Sequence, residues 1–414
     1  MAKNRKETNG KYLRASNIEL FSREILVSTN GEKKTYSRDA DDLYPLRIEK
    51  IINGSSTGRR CANLMAKYLG GNGNKINFLI KNGITINDII RAACTSISKQ
   101  YGVYFKLNYA LDNEALISAI DNKPKFKIDN VGVLDYVIMA KSKEDDNDFQ
   151  GKFYALKFDE EKSIFKDSDD DGNWFYPYNT NSKVILKQMH NDCKIKKVDD
   201  PTIHDLISNY RGQVYYLNLT PEYIYALPLV DSVYNDCDTE NRISNYNNTQ
   251  TRTGFAGKTM IIKYAEAIEA ETERSNGADE DFNDELKDFM GTENSGNLFV
   301  VEVPQSLDSD LENSFLVKQL PAQFDDKLYE TTIKNLRQNI MGAFNNIPEP
   351  LVFAGSGALF GTSADSYNEM KRFYWEQNEY ERSALEQTLR MFGFDVEIMP
   401  IVSEKINTIQ NGLQ

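Results

Sequence analysis

Ile86, Ile89, Ile90, Ala93 and Ile97 recur at the spacing of one helix face. Thr85, with Asp88 three residues on, forms an approximate capping box at the start of that helix. The period then changes to two. Val103, Phe105, Leu107, Tyr109 and Leu111 alternate with Tyr104, Lys106, Asn108 and Ala110, which predicts a strand. Upstream, the first forty residues are polar, with one strand expected at 25–27. Asp41 and Asp42 followed by Pro45 predict a helix start, because Pro fits a first turn and acids suit the positive end of the helix dipole. That helix is expected over 45–69, interrupted near Gly54-Ser55-Ser56-Thr57 and ended by Gly70-Gly71-Asn72-Gly73.

From 120 to 219 the pattern reads as short strands and turns, with candidates at 133–140, 153–158, 174–178, 184–189 and 214–219. These predict a β-rich middle region. The next helix, over 228–253, has only Val230, Val233, Cys237 and Ile243 as an apolar face. Asn235, Asn241, Asn245, Asn247 and Asn248 make it a poor intrinsic helix former. It either packs beside copies of itself around a wet channel or is a loop or frayed surface helix. A strand is expected at 258–264, a short amphipathic helix at 279–290 on Phe282, Leu286 and Phe289, and strands at 298–303 and 315–319. Phe324, Leu328, Ile333, Leu336, Ile340 and Phe344 mark a helix over 323–345, stopped by Pro348 and Pro350. Ser366 and Glu369 form a capping box for a last helix running to Phe392, with Gly393 as its cap. At about 1.5 Å per residue that helix would span roughly 40 Å. The fold class is α+β, in two or three domains for 414 residues.

Composition sharpens this picture. With 40% hydrophobic and 27% charged residues the chain can bury a core. The formal charge of −13 argues against ordinary duplex gripping, which uses basic patches. It is compatible with a channel through which DNA slides without sticking. Much of the acid lies between 266 and 288, which is either a solvated face or the lining of a tunnel. No apolar run is long enough for a membrane span, and the polar N-terminus lacks the apolar stretch of a signal peptide. Cys61, Cys94, Cys193 and Cys237 show no CxxC spacing, so a reduced, intracellular chain is expected.

Each chemical motif fails at a named position. Gly254 to Thr259 contains a Gly-Lys-Thr triplet, but Arg252 stands where a P-loop needs its first Gly. A helix is also expected before this segment and a strand after it, the reverse of the phosphate-cradling order. Asp167-Ser168-Asp169-Asp170-Asp171-Gly172 opens like an EF-hand, but the chelating twelfth position is Tyr178. His190 and His204 have no ligand or base partner at useful spacing. No catalytic residue, cofactor or metal is expected, although carboxylates are too abundant to exclude a metal-dependent nuclease from sequence.

The order of elements and several short stretches resemble the portal proteins of tailed bacteriophages, in particular portal-like proteins of Bacteroidetes phages and prophages. Asp42-Leu43-Tyr44-Pro45 with Ile51-Ile52-Asn53-Gly54-Ser55-Ser56 resembles that family's opening helix. Gly83-Ile84-Thr85-Ile86-Asn87-Asp88 resembles its second helix start. Tyr225-Ala226-Leu227-Pro228, Asp238-Thr239-Glu240, Asn245-Tyr246 and Thr253-Gly254-Phe255 resemble the stem helix and its glycine exit. Ile340-Met341-Gly342-Ala343-Phe344, Ile347-Pro348-Glu349-Pro350 and Ser366-Tyr367-Asn368-Glu369 resemble the segment leading to a crown-side helix. The Asn-rich helix departs from the alanine-rich stems of other portals.

The resemblance implies a portal fold with a β-rich wing, a helical stem, a small clip and a C-terminal helical crown-side segment. By position the N-terminal wing is 1–226, the stem helices 227–253 and 279–291, the clip 254–278 and the wing strands 292–322. Residues 323–345 lead to a tunnel-loop candidate at 346–364, and 365–414 form the crown-side helix and tail. The implied assembly is a homo-oligomeric ring, typically a dodecamer, at one capsid vertex of the virion, assembled in the host cytoplasm. The implied partners are double-stranded DNA in the channel, the major capsid protein, terminase and a head–tail adaptor, with no membrane. Candidate channel residues are Lys258, Lys263, Asn346, Glu349, Phe353, Ser356, Leu359 and Phe360. Candidate adaptor-binding residues in the clip are Phe255, Lys258, Tyr264, Glu269 and Arg274. The competing expectations are a metal-dependent phage nuclease and a different head–tail connector subunit.

Overall fold

The computed structural model describes residues 35–39, 41–112, 125–143, 151–159, 164–166, 174–252, 259–265, 298–304, 315–319, 326–353 and 364–401. The strand expected at 25–27 and the acidic helix expected at 279–290 lie outside them. The architecture is α+β.

Helices α1 (Tyr44–Gly54) and α2 (Ser56–Gly70) meet at Ser55, the expected interruption. Ser55 is extended, and its side chain accepts the N–H of Gly58, which restarts the helix. Asp41 and Asp42 sit ahead of the first turn of α1 rather than in it, with Leu43 as its N-cap. Asp41 accepts the N–H of Leu43 and pairs with Arg47, while Asp42 accepts the N–H of Arg38. The hairpin β1 (Leu79–Lys81) and β2 (Ile84–Thr85) leads into α3 (Ile86–Gln100), whose Thr85–Asp88 capping box is complete.

A six-stranded mixed sheet follows, in the order β4-β3-β10-β9-β6-β5. Its strands are β3 (Gly102–Leu111), β4 (Phe126–Leu134), β5 (Met139–Lys141), β6 (Phe153–Ala155), β9 (Trp174–Pro177) and β10 (Gln213–Asn218). A separate hairpin pairs β7 (Lys157–Asp159) with β8 (Ile164–Lys166). The period-two reading of β3 holds. Val103, Phe105, Leu107 and Tyr109 enter the main core with helices α1 to α3, and Tyr104 enters a second cluster with Tyr136, Phe153 and Val214.

The segment 184–189, expected as a strand, is helical instead, within α4 (Ser182–Ile195). Its buried residues are Ile185, Gln188, Met189, Asp192 and Cys193, which is helical spacing. A short run such as Val184-Ile185-Leu186 fits both periods; the longer window decides. Asn181 caps the helix, and α5 (Ile203–Asn209) starts at a second capping box, Thr202 with Asp205. This helix pair makes the crossover that two parallel neighbours, β9 and β10, require.

A short 3₁₀ turn (Leu229–Val233) leads to α6 (Tyr234–Arg252). A three-stranded sheet then places β11 (Thr259–Ala265) between β12 (Leu298–Pro304), parallel, and β13 (Phe315–Gln319), antiparallel. Helices α7 (Asp326–Ala343), α8 (Glu349–Val352), α9 (Ala364–Gln377) and α10 (Glu379–Met391) complete the chain. The last helix is therefore two helices, broken at Asn378. The Asn378 side chain is fully buried and donates to the Tyr374 carbonyl at 2.6 Å. Asn345 donates to Asn378 Oδ1 and to Glu381 Oε1, which ties the break to the end of α7.

Candidate functional site

Helix α6 buries side chains against the body in its first half. Val233 and Cys237 are buried, and Glu240 is 9% exposed. The Glu240 carboxylate lies over the start of α2. It accepts from Ser55 Oγ at 2.5 Å, Thr57 Oγ1 at 2.6 Å, Thr57 N at 3.0 Å and Ser56 Oγ at 3.1 Å. An anion at a helix N-terminus meets unpaired N–H groups and the positive dipole end. Burial alone would raise the Glu240 carboxyl, but the hydrogen bonds from Ser55, Thr57 and Ser56 outweigh it and hold the group below its usual range. The Gly54-Ser55-Ser56-Thr57 interruption is thus a receptor for one acid of the Asn-rich helix. Beyond Glu240, no residue from 241 to 249 is buried.

Around this joint stand two arginines that the sequence reading did not single out. Arg337 on α7 lies 4.0 Å from Glu240. Its guanidinium sits 4.9 Å from the centre of the Phe353 ring, and that of Arg60 on α2 sits 5.3 Å from the same centre. Phe353, one of the candidate channel residues, therefore bridges two cations just after α8. Two more members of that set are exposed, Asn346 on the turn between α7 and α8 and Glu349 at the first position of α8. Asn345 and Asn346 both take left-handed backbone (φ 58° and 54°), which suits asparagine.

Lys263 and Tyr264 lie in β11, in register with Glu302 and Val303 of β12. Lys258, Ser356, Leu359, Phe360, Phe255, Glu269 and Arg274 lie outside the described residues. The structure thus places Asn346 and Glu349 at the start of α8, Phe353 at its far end, and Lys263 and Tyr264 together on β11. No local signal marked Arg60 or Arg337, since each is one of several exposed cations on an amphipathic helix.

The motif readings keep their expected surroundings. A helix precedes and a strand follows 253–258, and strands β8 and β9 flank 167–173. His190 and His204 are exposed. Burial pushes the thiols of Cys61, Cys94 and Cys237 up to about 12, which suits packing rather than nucleophilic chemistry. Among the described residues, no group of three His, Cys, Asp or Glu side chains is placed to hold a metal ion. No described helix is long and apolar enough to cross a membrane.

No family model matches the chain, and no curated protein does. Among solved structures, it is similar to a chain in the virion of a native gene transfer agent particle, with a TM-score of 0.43 and 14% identity over 93% of this chain and 89% of that one. It is similar to a chain in the neck of the native particle computed with C12 symmetry, with a TM-score of 0.42 and 14% identity over 90% and 87%. A chain in the neck of the empty particle computed with C6 symmetry gives 0.42 and 13% over 93% and 90%.

Proposed function

We propose that this chain is a portal subunit of a tailed phage or phage-like particle. It forms a ring at one capsid vertex, passes double-stranded DNA, and docks terminase, capsid and head–tail adaptor. One observation carries the reading. Helix α6 is a poor helix former, anchored by Glu240 and then continuing with no buried residue from 241 to 249. A helix of that composition gains its stability from partners. Copies of itself around a wet bore supply them without an apolar face.

In this reading 227–253 and 279–291 are stem, 254–278 is clip, 346–364 is the tunnel loop and 365–414 is crown-side. Under these assignments the sheet of β11 with β12 and β13 is where the clip meets the wing strands of 292–322. Lys258 and Lys263 touch phosphates transiently, and ATP hydrolysis belongs to another protein. Negative-stain microscopy of the purified protein is the test, with closed rings expected. A monodisperse monomer under every condition, with no rings in virions, would overturn it.

A further inference from the structure

The outer face of α2 carries a line of cations that the sequence reading passed over. Arg60, Asn63 and Lys67 lie three and four residues apart and share one stripe of the helix. From Arg60 to Lys67 the stripe rises seven residue steps, or about 10 Å at 1.5 Å per residue. All three are exposed. At its start Arg60 stacks on Phe353 beside Arg337. At its far end Lys67 lines a groove of about 430 Å³ between α2 and α3, shared with Asn63, Asn72, Asn87, Arg91 and Thr95. No carboxylate lines this groove.

Charge pairing leaves the line positive. Among the described residues, neither Arg60 nor Lys67 has a carboxylate within ion-pair distance. Among the described residues Arg91 pairs with Asp88, at 3.5 Å on the surface, and Asp88 is occupied by the Thr85 capping box. Glu240 beside Arg337 is already held by Ser55, Ser56 and Thr57. A chain of formal charge −13 thus gathers four cations on α2 and its neighbours α7 and α3, with the Asn63 amide between Arg60 and Lys67.

We infer that Arg337, Arg60, Asn63, Lys67 and Arg91 form a track for a phosphodiester backbone, that of duplex DNA. Exposed cations on adjoining helices with an amide donor among them match the way proteins hold phosphates without reading bases. The rival occupant is an acidic segment of a second copy, such as 266–288. A protein seam builds its centre on exposed aromatic or aliphatic anchors. The apolar side chains that adjoin the track, Phe353 under Arg60 and Arg337 and Ala66 and Ile90 in the groove, are buried or half-buried, so none stands out as such an anchor. The inference rests on the portal reading for the source of the DNA, but not for the chemistry of the site.

The test is fluorescence anisotropy of a labelled duplex of about 30 base pairs with the full-length protein, from roughly 50 to 200 mM salt. The variant Arg60→Gln/Lys67→Gln/Arg91→Gln is compared with a control of equal charge change, Lys183→Gln/Lys194→Gln/Lys197→Gln on and just after α4. The track variant should bind about tenfold or more weakly, and its salt slope should fall by about two to three units, near 0.9 per lost phosphate contact. The control should bind as the unaltered chain does. Lys67→Glu alone, on an exposed position, should weaken binding in the same direction. Equal losses in track variant and control would overturn the inference. So would a track variant that keeps DNA binding but no longer forms rings, which would assign the face to a neighbouring copy. If the unaltered protein forms rings and the track variant binds DNA normally, the portal reading stands and the track fails. If the unaltered protein stays monomeric yet shows the track-dependent binding, the track stands and the portal reading fails.

Discussion

The carboxylate of Glu240 accepts the backbone N–H of Thr57 at 3.0 Å across 183 residues of sequence. It joins the helix with the least apolar surface to the N-terminus of a core helix. Replacing Glu240 by Gln keeps the shape and removes the charge, so the chain should lose about 1–3 kcal/mol at neutral pH. The pH dependence has a definite sign. The folded-state carboxyl lies below its unfolded value, so its contribution is present above the ordinary glutamate range and is lost as pH falls through the folded value. Urea midpoints from neutral pH downwards should show the gap between parent and Glu240→Gln closing below about pH 4.3, the usual glutamate value. A gap that is constant with pH would remove the charge from the explanation.

A second carboxylate is buried more deeply. Asp192 is fully buried and receives the backbone N–H of Arg211 at 2.9 Å, its Nε at 2.7 Å and the hydroxyl of Tyr176 at 3.1 Å. The Arg211 guanidinium also covers the Trp174 ring, 3.7 Å from its centre. Asp192→Asn leaves that guanidinium without its counter-ion, at an expected cost of about 3–5 kcal/mol. Asp192→Asn/Arg211→Leu should recover part of the loss. Denaturant midpoints at constant slope measure both, and a double variant no better than the single one would refute the pairing.

Much of this framework could be read from residues alone, for physical reasons. Thr85 and Asp88, Ser55 with its glycine, and the alternation through Val103, Phe105 and Leu107 act locally, so sequence spacing reveals them. The break at Asn378 could not be read. It depends on hydrogen bonds with Asn345 and Tyr374, and Asn345 lies 33 residues away. The strand expected over Val184 to Met189 is a helix because its apolar run, Val184 to Leu186, carries too little phase to separate the two periods. The candidate site shows the same division. Pro348 and Pro350 announce the turn after α7, whereas the meeting of Arg60, Arg337 and Phe353 exists only once α2, α7 and α8 have packed.

The cysteines give a prediction that needs no variant. Burial pushes the thiols of Cys61, Cys94 and Cys237 up to about 12, and Cys193 is raised as well. All four are buried and free. At pH 8 an aromatic disulfide reagent should therefore react with none of them in the native protein and with all four in denaturant. Fast labelling of any thiol in the native state would contradict the packing.

Two glycines with left-handed backbone separate strain from contact. Gly71 has φ 52°, and a Cβ there would stand 2.1 Å from the carbonyl oxygen of Met399 and 3.0 Å from the Trp375 ring. Gly83 has φ 82°, and a Cβ there meets nothing within 4 Å. Ala at Gly83 should cost only the conformational penalty, about 1–2 kcal/mol. Ala at Gly71 bears that penalty and a clash with backbone. The clash falls where Asn72 N donates to Met399 O and Met399 N to Gly73 O, each at 2.9 Å. Those bonds fasten the segment after α10 to the end of α2. Gly71→Ala should therefore be the more destabilising of the two by at least about 1–2 kcal/mol, since relief requires the docked segment to move. It should also speed hydrogen exchange at the amides of Asn72 and Met399, which Gly83→Ala should leave unchanged. Equal stabilities for the two variants, with both amides still protected, would show that the 399 segment is not held against α2.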